Sequence, residues 1–431
     1  MQPNLSTLAV ATLTLVACSA CDQSSSSRGF PVGSDAVQPS SPTAPIGRAT
    51  AILSGRDPSL FLVTETAAGP QLLRVSLSSS LDLTASELIN IPEAFGERLI
   101  GSVTVQDDRF GALLSEDPAR RGSLRATLFT PGAARLAESL DEVVLDASDL
   151  RSVAAPGGTR DSLGFDLTRI DTHTPVGAVR LDTSRGPELF VAFANSDSET
   201  RRSPGCIVVY GLGGVAGARD PQLNGVMVSR SFAPLQLSVT TSSGAPRLLL
   251  VSRGFDDPRG ATPLMVASVE SFDPETLGPV AELLLDPQDS ISAVSLRDSG
   301  DRVDIAASRA GRAARLYEID ATTLNLTNTI DVPELASDQL SRLDVASSAS
   351  GNVLYVHARD QGRILSIERR SGRVLESTLT SQARAPAVSG QLGMLRQRGD
   401  PTSRLLIVSN PLASVGPTHP TRVEALNPTF R

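Results

Sequence analysis

The stretch from Ser341 to Thr380 contains four short runs of alternating apolar and polar residues. The runs are Leu343–Ser347, Val353–Ala358, Arg363–Glu368 and Arg373–Thr378, and a glycine-containing turn separates each from the next. Runs of this length with glycine-centred breaks predict strands joined by hairpins, so the stretch predicts an antiparallel meander of four strands. Such a sheet has two open edges and two faces to cover, and it therefore needs other sheets beside it.

The same order of strands recurs along the chain. In each of seven candidate units an apolar second strand follows a polar turn, and the units repeat about every 40–55 residues, as propeller blades do. Continuous apolar strands suit a position that neighbouring sheets bury on both faces. The candidate second strands are residues 60–64, 110–115, 189–192, 248–252, 303–307, 354–357 and 405–409.

These features predict an all-β chain, and specifically a β-propeller of seven blades with four antiparallel strands in each. A sandwich of two stacked sheets is the alternative, but it would not need the same order of strands in every unit. No amphipathic helix of normal length is expected.

The unit at Ser341–Thr380 also resembles the YVTN-type bacterial β-propeller repeat. Gly351, Tyr355 and Val356 match that repeat, whereas Glu368 stands where the family has Asp. The resemblance is good in this unit, partial around residues 235–285 and 292–330, and faint elsewhere. It implies a seven-bladed propeller but no particular function, because the fold supports many functions.

Two segments leave the blade count open between six and eight. Residues 149–175 lie between the second and third units, as an inserted hairpin or part of an eighth blade. The sequence runs only to Arg431, soon after a third strand, and a closed ring usually borrows its last strand from the other terminus. The residues before Arg48 resemble a strand poorly, so the sequence leaves the closure of the ring open.

Residues 1–17 are predicted to be a targeting segment. The apolar run Leu5–Ala17 is too short to span a bilayer as a helix. Its end, Leu15-Val16-Ala17-Cys18, resembles the lipobox of bacterial lipoproteins. This resemblance implies cleavage before Cys18 and acylation of that residue, although Met1–Ser6 lacks the basic residues usual in signal peptides.

Two alternatives remain for this segment. Cys21 is a competing acceptor, but it lacks the apolar residue three positions earlier, and an ordinary secretory signal is the second alternative. In the lipoprotein family, Ser after the acylated Cys directs the product to the outer membrane. Ser19 therefore implies an outer-membrane lipoprotein of the bacterial cell envelope. Residues 18–47 are rich in Ser, Pro and Gly and predict a flexible, disordered tether, with the propeller domain at 48–431.

The histidines and cysteines form no recognisable site. His173, His357 and His419 have no His or Cys partner at the spacing of metal ligands, so each is expected to be incidental. Cys206 is the only cysteine after residue 21, which excludes a disulfide framework in the mature body. It is expected to be a small buried apolar residue.

Other candidate groups are equally unspecific. Asp197, Asp256 and Asp257 follow second strands, but their spacing does not match a calcium loop, so solvated charge is the expectation. Gly211–Gly214 lacks the Lys and helix of a phosphate loop. There is no G-x-S-x-G nucleophile elbow, although a Ser-His-Asp arrangement remains compatible with the composition. We therefore predict no catalytic, cofactor-binding or metal-binding residues, and Cys18 as the one modified site.

The composition of the chain argues against several classes of function. A net charge of −8 argues against nucleic acid as a partner. The absence of Trp disfavours a quinone-binding propeller, and 3% aromatic residues disfavour sugar binding. The expected function is a lipid-anchored protein-binding or scaffold module with an unidentified protein partner. The alternative is a lactonase-like hydrolase, which some relatives of this repeat resemble, with a site at the central channel.

Overall fold

The computed structural model defines the core strands of the chain and most of their short turns. The residues that it describes are 32–36, 48–54, 59–66, 69–77, 83–91, 98–106, 110–116, 123–146, 173–195, 205–213, 222–241, 244–254, 266–297, 300–309, 311–337, 343–348, 350–379, 389–396, 403–410 and 422–426.

The described residues are almost entirely β-strands. Their helical segments are two short 3-10 turns, Leu136–Ser139 and Arg359–Gln361, and none of their helices is long and apolar enough to cross a membrane. The strands in chain order are β1 (Val32–Ala36), β2 (Arg48–Ser54), β3 (Ser59–Thr66), β4 (Gly69–Leu77), β5 (Leu83–Asn90), β6 (Arg98–Gln106), β7 (Phe110–Glu116), β8 (Ser123–Phe129), β9 (Asp141–Asp146), β10 (His173–Thr183), β11 (Gly186–Asn195), β12 (Cys206–Gly211), β13 (Gln222–Val228), β14 (Pro234–Thr240), β15 (Arg247–Ser252), β16 (Ser268–Asp273), β17 (Gly278–Leu284), β18 (Ser290–Leu296), β19 (Arg302–Ser308), β20 (Arg312–Asp320), β21 (Leu326–Ser337), β22 (Leu343–Ser347), β23 (Val353–Ala358), β24 (Arg363–Glu368), β25 (Val374–Leu379), β26 (Ser389–Arg396), β27 (Ser403–Asn410) and β28 (Arg422–Leu426).

The described strands form seven sheets of four strands, and all neighbouring strands are antiparallel. Sheets 1 to 6 are consecutive meanders, from β2–β5 to β22–β25. Sheet 7 contains β26, β27 and β28, and its fourth strand is β1. The all-β class and the four-stranded antiparallel unit predicted from the sequence are confirmed, and the seven candidate second strands lie in the second strand of each sheet.

The position of β1 differs from the sequence-based expectation. Val32–Ala36 lies within the predicted tether 18–47, yet its backbone pairs with β28, from Val32 opposite Leu426 to Ala36 opposite Arg422. The segment Val-Gly-Ser-Asp-Ala has little strand propensity of its own. The open edge of β28 supplies the hydrogen-bonding partners, so pairing across the sheet determines this strand. The segment 149–175, expected to be an inserted hairpin or part of an eighth blade, lies outside the described residues apart from the start of β10 at His173.

The core lies between consecutive sheets. In β15, Leu248 and Leu250 pack against sheet 3, whereas Leu249 and Val251 pack against sheet 5. Successive side chains of a strand point to opposite faces, so a strand that is apolar throughout is buried on both sides. Each such Leu contributes about 1.5–3 kcal/mol to folding through burial.

The first strands of most neighbouring sheets adjoin one another. β2 contacts β6, β6 contacts β10, and β10 contacts β14. Sheets 4 and 5 share an apolar cluster that includes Val251 and Ile305. β18 then contacts β22, β22 contacts β26, and β26 contacts β2. The order of contacts therefore returns to the first sheet.

Candidate functional site

The antiparallel order of the strands gives each sheet two distinct ends. At one end, which we name the turn end, lie the links between first and second strands and between third and fourth strands. At the other, the connection end, lie the links between second and third strands and between successive sheets. The segments 147–172, 196–204, 255–265 and 411–421 all join strands at the connection end. Because connecting segments carry most binding residues, this end is the candidate functional surface.

Three described residues that were considered from the sequence lie at the connection end. His173 is the first residue of β10, and His357 lies near the end of β23. Cys206 begins β12 and is fully buried, and burial raises the pKa of its thiol, so it is unreactive. Gly211 ends β12 at the turn end, away from the candidate surface. Cys18, Cys21, Asp197, Asp256, Asp257, Gly214 and His419 lie outside the described residues.

One group at the connection end joins a histidine to a carboxylate. Asp344 of β22 lies opposite His357 of β23, and the His357 Nδ1 is 3.3 Å from the Asp344 Oδ2. Arg359 donates from Nε to the same oxygen at 2.8 Å, and from Nη2 to Oδ1. Burial acts to raise the pKa of Asp344, but the bonds from Arg359 and His357 outweigh it and hold the pKa below its usual value.

His357 itself is sealed inside the sheet. Its side chain is 0% exposed, and its Nε2 has no hydrogen-bonding partner within the described part of the chain. The neighbouring Val356 packs toward sheet 5, so the alternation of the strand directs His357 to the side of sheet 6 that faces away from sheet 5. With Nδ1 held by Asp344, the arrangement orients an imidazole but gives it no direct access to solvent.

A second group lies where sheet 4 passes into sheet 5. Asp289 accepts hydrogen bonds from the Arg309 Nε and from the Tyr317 hydroxyl. Asp286 accepts from Arg309, and from the Arg315 Nη1 at 2.9 Å. Burial, followed by the bond to Asp289, raises the pKa of Tyr317 to about 12, so this phenol remains a neutral donor. Two carboxylates, two guanidinium groups and a phenol thus satisfy one another.

A third group surrounds Glu270, a buried residue of β16. Its Oε2 accepts from the Ser229 hydroxyl, and its Oε1 accepts from the Arg230 backbone N–H at 2.8 Å. Ser229 also accepts from the Ser231 N–H at 2.9 Å. Burial raises the pKa of Glu270 despite these bonds, and the nearby charge of Glu282 acts in the same direction. The carboxylate fixes the link between sheets 3 and 4.

At the turn end, polar groups join neighbouring sheets. Arg185, in the first turn of sheet 3, donates from Nη2 to Glu188 at 2.7 Å and to the Pro274 carbonyl oxygen of sheet 4 at 2.6 Å. Glu188 is completely buried and also accepts from the Asn224 amide. Burial opposes ionisation of Glu188, but the bonds from Arg185, Asn224 and Thr183 lower its pKa.

A similar network joins sheets 5 and 6. Arg369 of sheet 6 bonds to two acidic residues of sheet 5. It donates to both Asp304 carboxylate oxygens, at 2.5 and 2.8 Å, and also to the Glu318 carboxylate. Ser347 donates to the Asp304 Oδ2 at 2.5 Å, and Gly351 accepts from the Arg369 Nε at 2.6 Å. These contacts fix one sheet against the next and are structural in character.

The arrangement of these groups limits the chemistry that they offer. No group of three or more His, Cys, Asp or Glu side chains suited to a metal ion occurs among the described residues. At the connection end, the Asp289 and Glu270 carboxylates are fully or almost fully buried and held by donors. Among the described residues of this end, the donor and acceptor types of acid–base chemistry meet in Asp344, on the first strand of sheet 6, and His357, on the second.

We compared the chain with known protein families, sequences and structures. No family model matches the chain, and no curated protein sequence matches it. Kuenenia stuttgartiensis hydrazine synthase is similar in structure, with 12% identity, a TM-score of 0.53, and coverage of 90% of this chain and 97% of that chain. The β-propeller domain of Myceliophteria thermophila Cps50 (Swd1) has 13% identity and a TM-score of 0.51, and the match covers 92% of this chain and 100% of that chain.

The fold is a β-propeller. Pseudomonas aeruginosa periplasmic gluconolactonase, PpgL, also matches, with 15% identity, a TM-score of 0.49, and coverage of 78% of this chain and 85% of that chain. Structural similarity at identities this low shows the fold alone. The function has to be argued from the site, since propellers serve many functions.

The Asp344–His357–Arg359 group was missed in the sequence, where His357 was considered incidental. The signal was present in the predicted meander, because the hairpin between Leu343–Ser347 and Val353–Ala358 places residues 344 and 357 opposite each other. An Asp across a strand pair from a His is a recognisable pair once the register is worked out. The Asp289 and Glu270 groups had no such signal, because each joins a residue of a link between two sheets to residues 20 or more positions away.

Proposed function

We propose that the chain is a lipid-anchored β-propeller of the bacterial cell envelope that acts as a protein-binding or scaffold module. The proposed body is a closed ring of seven blades, with β1 completing the last blade. The order of contacts among first strands supports the ring, and the pairing of β1 with β28 supports the closure. Cys18, preceded by Leu15-Val16-Ala17, is the proposed acylation site, and the outer membrane is the proposed location.

The observation that carries the binding role is the state of the charged groups at the connection end. Asp289 and Glu270 are buried and bonded to residues of adjoining links. They stabilise the bases of the connecting segments and leave the outer surface to those segments. This is the design of a rigid scaffold that presents loops to a partner.

The repeat itself supports a relation to YVTN-type propellers, which we also propose. Gly351 adopts the left-handed conformation, with φ of 73°, in the turn before β23. Tyr355 and Val356 lie in the buried second strand, as the repeat pattern requires. The relation concerns architecture and adds no activity.

The anchor is tested by labelling cells with a fatty-acid probe. The wild-type chain should carry the label, Cys18→Ala should lose it, and Cys21→Ser should keep it as the matched control. A label that persists in Cys18→Ala, or its absence from the wild type, excludes Cys18 as the anchor. In-cell crosslinking of the full-length chain then tests the binding role, with recovery of the same protein partner in repeated experiments as the expected result.

A lactonase-like hydrolase is the second candidate, and the Asp344–His357 pair is the observation that favours it. His357 Nδ1 is held 3.3 Å from a carboxylate beside the innermost strand. Turnover of lactones by the purified protein, lost in His357→Asn and retained in Arg370→Ala, would support the hydrolase and contradict a purely binding role. No turnover, with a protein partner captured, is the result that the binding role predicts.

A further inference from the structure

The two ends of the propeller differ in their relation to the chain that leads to the proposed anchor. β1 runs antiparallel to β28, so Val32 lies opposite Leu426, the last residue of that third strand. Leu426 in turn lies opposite Leu405, near the start of β27. The starts of second strands and the ends of third strands lie at the turn end. The chain therefore enters the propeller at the turn end, and only then runs toward the connection end and β2.

The chain between the proposed lipid and the propeller is short. Residues 19–31 separate Cys18 from Val32. At full extension they reach about 45 Å. A Ser-rich chain of this length has a root-mean-square span of only about 20 Å. One blade is of similar height, since the eight residues of β27 rise about 25 Å. The tether therefore does not bring both ends of the propeller equally near the membrane.

Bonds draw the described links at the turn end onto adjoining sheets. Arg185 and Arg369 each bond to a neighbouring sheet, and the 11-residue link 130–140 accepts hydrogen bonds from Arg74 of sheet 1 at its Pro131 and Ala133 carbonyl oxygens. An end whose polar groups are already bonded within the protein suits the side next to a lipid surface.

We propose that the turn end faces the membrane and that the connection end points away from it. This inference rests on the proposed lipid anchor at Cys18. It places the links between first and second strands, and those between third and fourth strands, on the headgroup side.

Two positions on one strand test the orientation. Thr276 precedes β17 at the turn end, and Gln288 follows it at the connection end, and both are exposed. They flank the same outer strand, so they differ mainly in height along the propeller axis. The seven residues of β17 separate the ends by about 23 Å. A fluorophore introduced at either position by an unnatural amino acid reports its distance from acceptor-labelled lipid headgroups.

The experiment uses the mature full-length chain on phosphatidylethanolamine–phosphatidylglycerol vesicles, with Cys21→Ser in both samples. In one arm the chain carries its cellular acylation, and in the other the Cys18 thiol is coupled chemically to a maleimide lipid. The second arm gives the same tether whether or not cells acylate the protein. We expect energy transfer from position 276 to exceed that from position 288 by at least about two-fold, given the height of the strand.

The outcomes separate the two proposals. Equal energy transfer from both positions in the coupled sample means that the propeller stands on its rim at the membrane. Higher energy transfer from position 288 means that the connection end faces the membrane. Either result overturns the orientation and leaves the anchor intact. If cells do not acylate the chain but the coupled sample shows the expected ratio, the natural anchor is wrong while the geometric inference holds.

Discussion

Replacing Arg369 with Ala should break the network that joins sheets 5 and 6. The Arg369 side chain is 10% exposed and the Asp304 side chain is 1% exposed, so both charges are largely removed from water. Removal of one partner from a buried ion pair costs about 3–5 kcal/mol, because the other charge is left uncompensated. The Arg297 Nε lies 4.0 Å from the Asp304 Oδ2 and partly compensates the charge of Asp304 when Arg369 is removed. We therefore expect a loss in the free energy of unfolding at the lower end of that range, about 3 kcal/mol.

Urea denaturation followed by circular dichroism measures this loss. Arg370→Ala is the matched control, because Arg370 is adjacent in sequence but exposed, and exposed substitutions change stability by no more than about 0.5 kcal/mol. The midpoint should fall sharply for Arg369→Ala and stay nearly unchanged for the control, with the same slope in both.

A second substitution tests the cause. If the uncompensated carboxylate is responsible, Asp304→Asn should restore part of the stability in the Arg369→Ala background, although it destabilises the wild type. The coupling between the two substitutions should exceed about 1 kcal/mol. Equal stability of Arg369→Ala and Arg370→Ala, or strictly additive effects of the two changes at 304 and 369, would refute the assigned role of this network.

Three further predictions concern buried groups. Glu270 has a raised pKa, so the folded state holds a proton that the unfolded state releases, and stability should fall as pH rises from the unfolded pKa through the folded one. Glu270→Gln should therefore gain stability over the wild type between pH 4 and pH 7, and a constant difference in urea midpoint across that range would contradict this. Asp344 has a lowered pKa, so its contribution is present above the unfolded pKa and lost as pH falls through the folded one. Asp344→Asn should be less stable near neutral pH but show a flatter decline in acid, and parallel acid-unfolding curves would disprove this. Gly111→Ala should cost about 1–3 kcal/mol because the new methyl group meets the Phe129 ring, whereas Gly278→Ala, which meets nothing closer than 3.5 Å, should be tolerated; equal melting temperatures would argue against the packing described here.

The sequence predicted the individual sheet well because each sheet is built from local contacts. The four runs at 343–378 are the strands β22 to β25, with a shift of one residue in the last. Each turn there carries a glycine, and Gly351, Gly362 and Gly372 all have positive φ. The turn residues and the hydrophobic alternation determine structure within a few residues, so a single sequence is enough to predict both.

Features that depend on distant residues could not be predicted in the same way. β1 forms because β28 offers an open edge nearly four hundred residues later, and nothing in Val32–Ala36 indicates it. Leu277 and Leu324 have positive φ where glycine would be expected, since each packs into the boundary between sheets. The partners of Asp289 and Arg369 likewise come from other sheets, so their roles follow only from the packing.

In the proposed ring, β1 completes the last sheet by pairing with β28. Ser34 of β1 lies opposite Glu424 of β28, whereas the next residue, Ala425, lies opposite Gly33. Under mild oxidation, with Cys21→Ser in the background, Ser34→Cys with Glu424→Cys should form a disulfide, detected as a mobility shift on a non-reducing gel. Ser34→Cys with Ala425→Cys should remain reduced. No bridge in the first pair, or equal bridging in both, would contradict the closure on which the account depends.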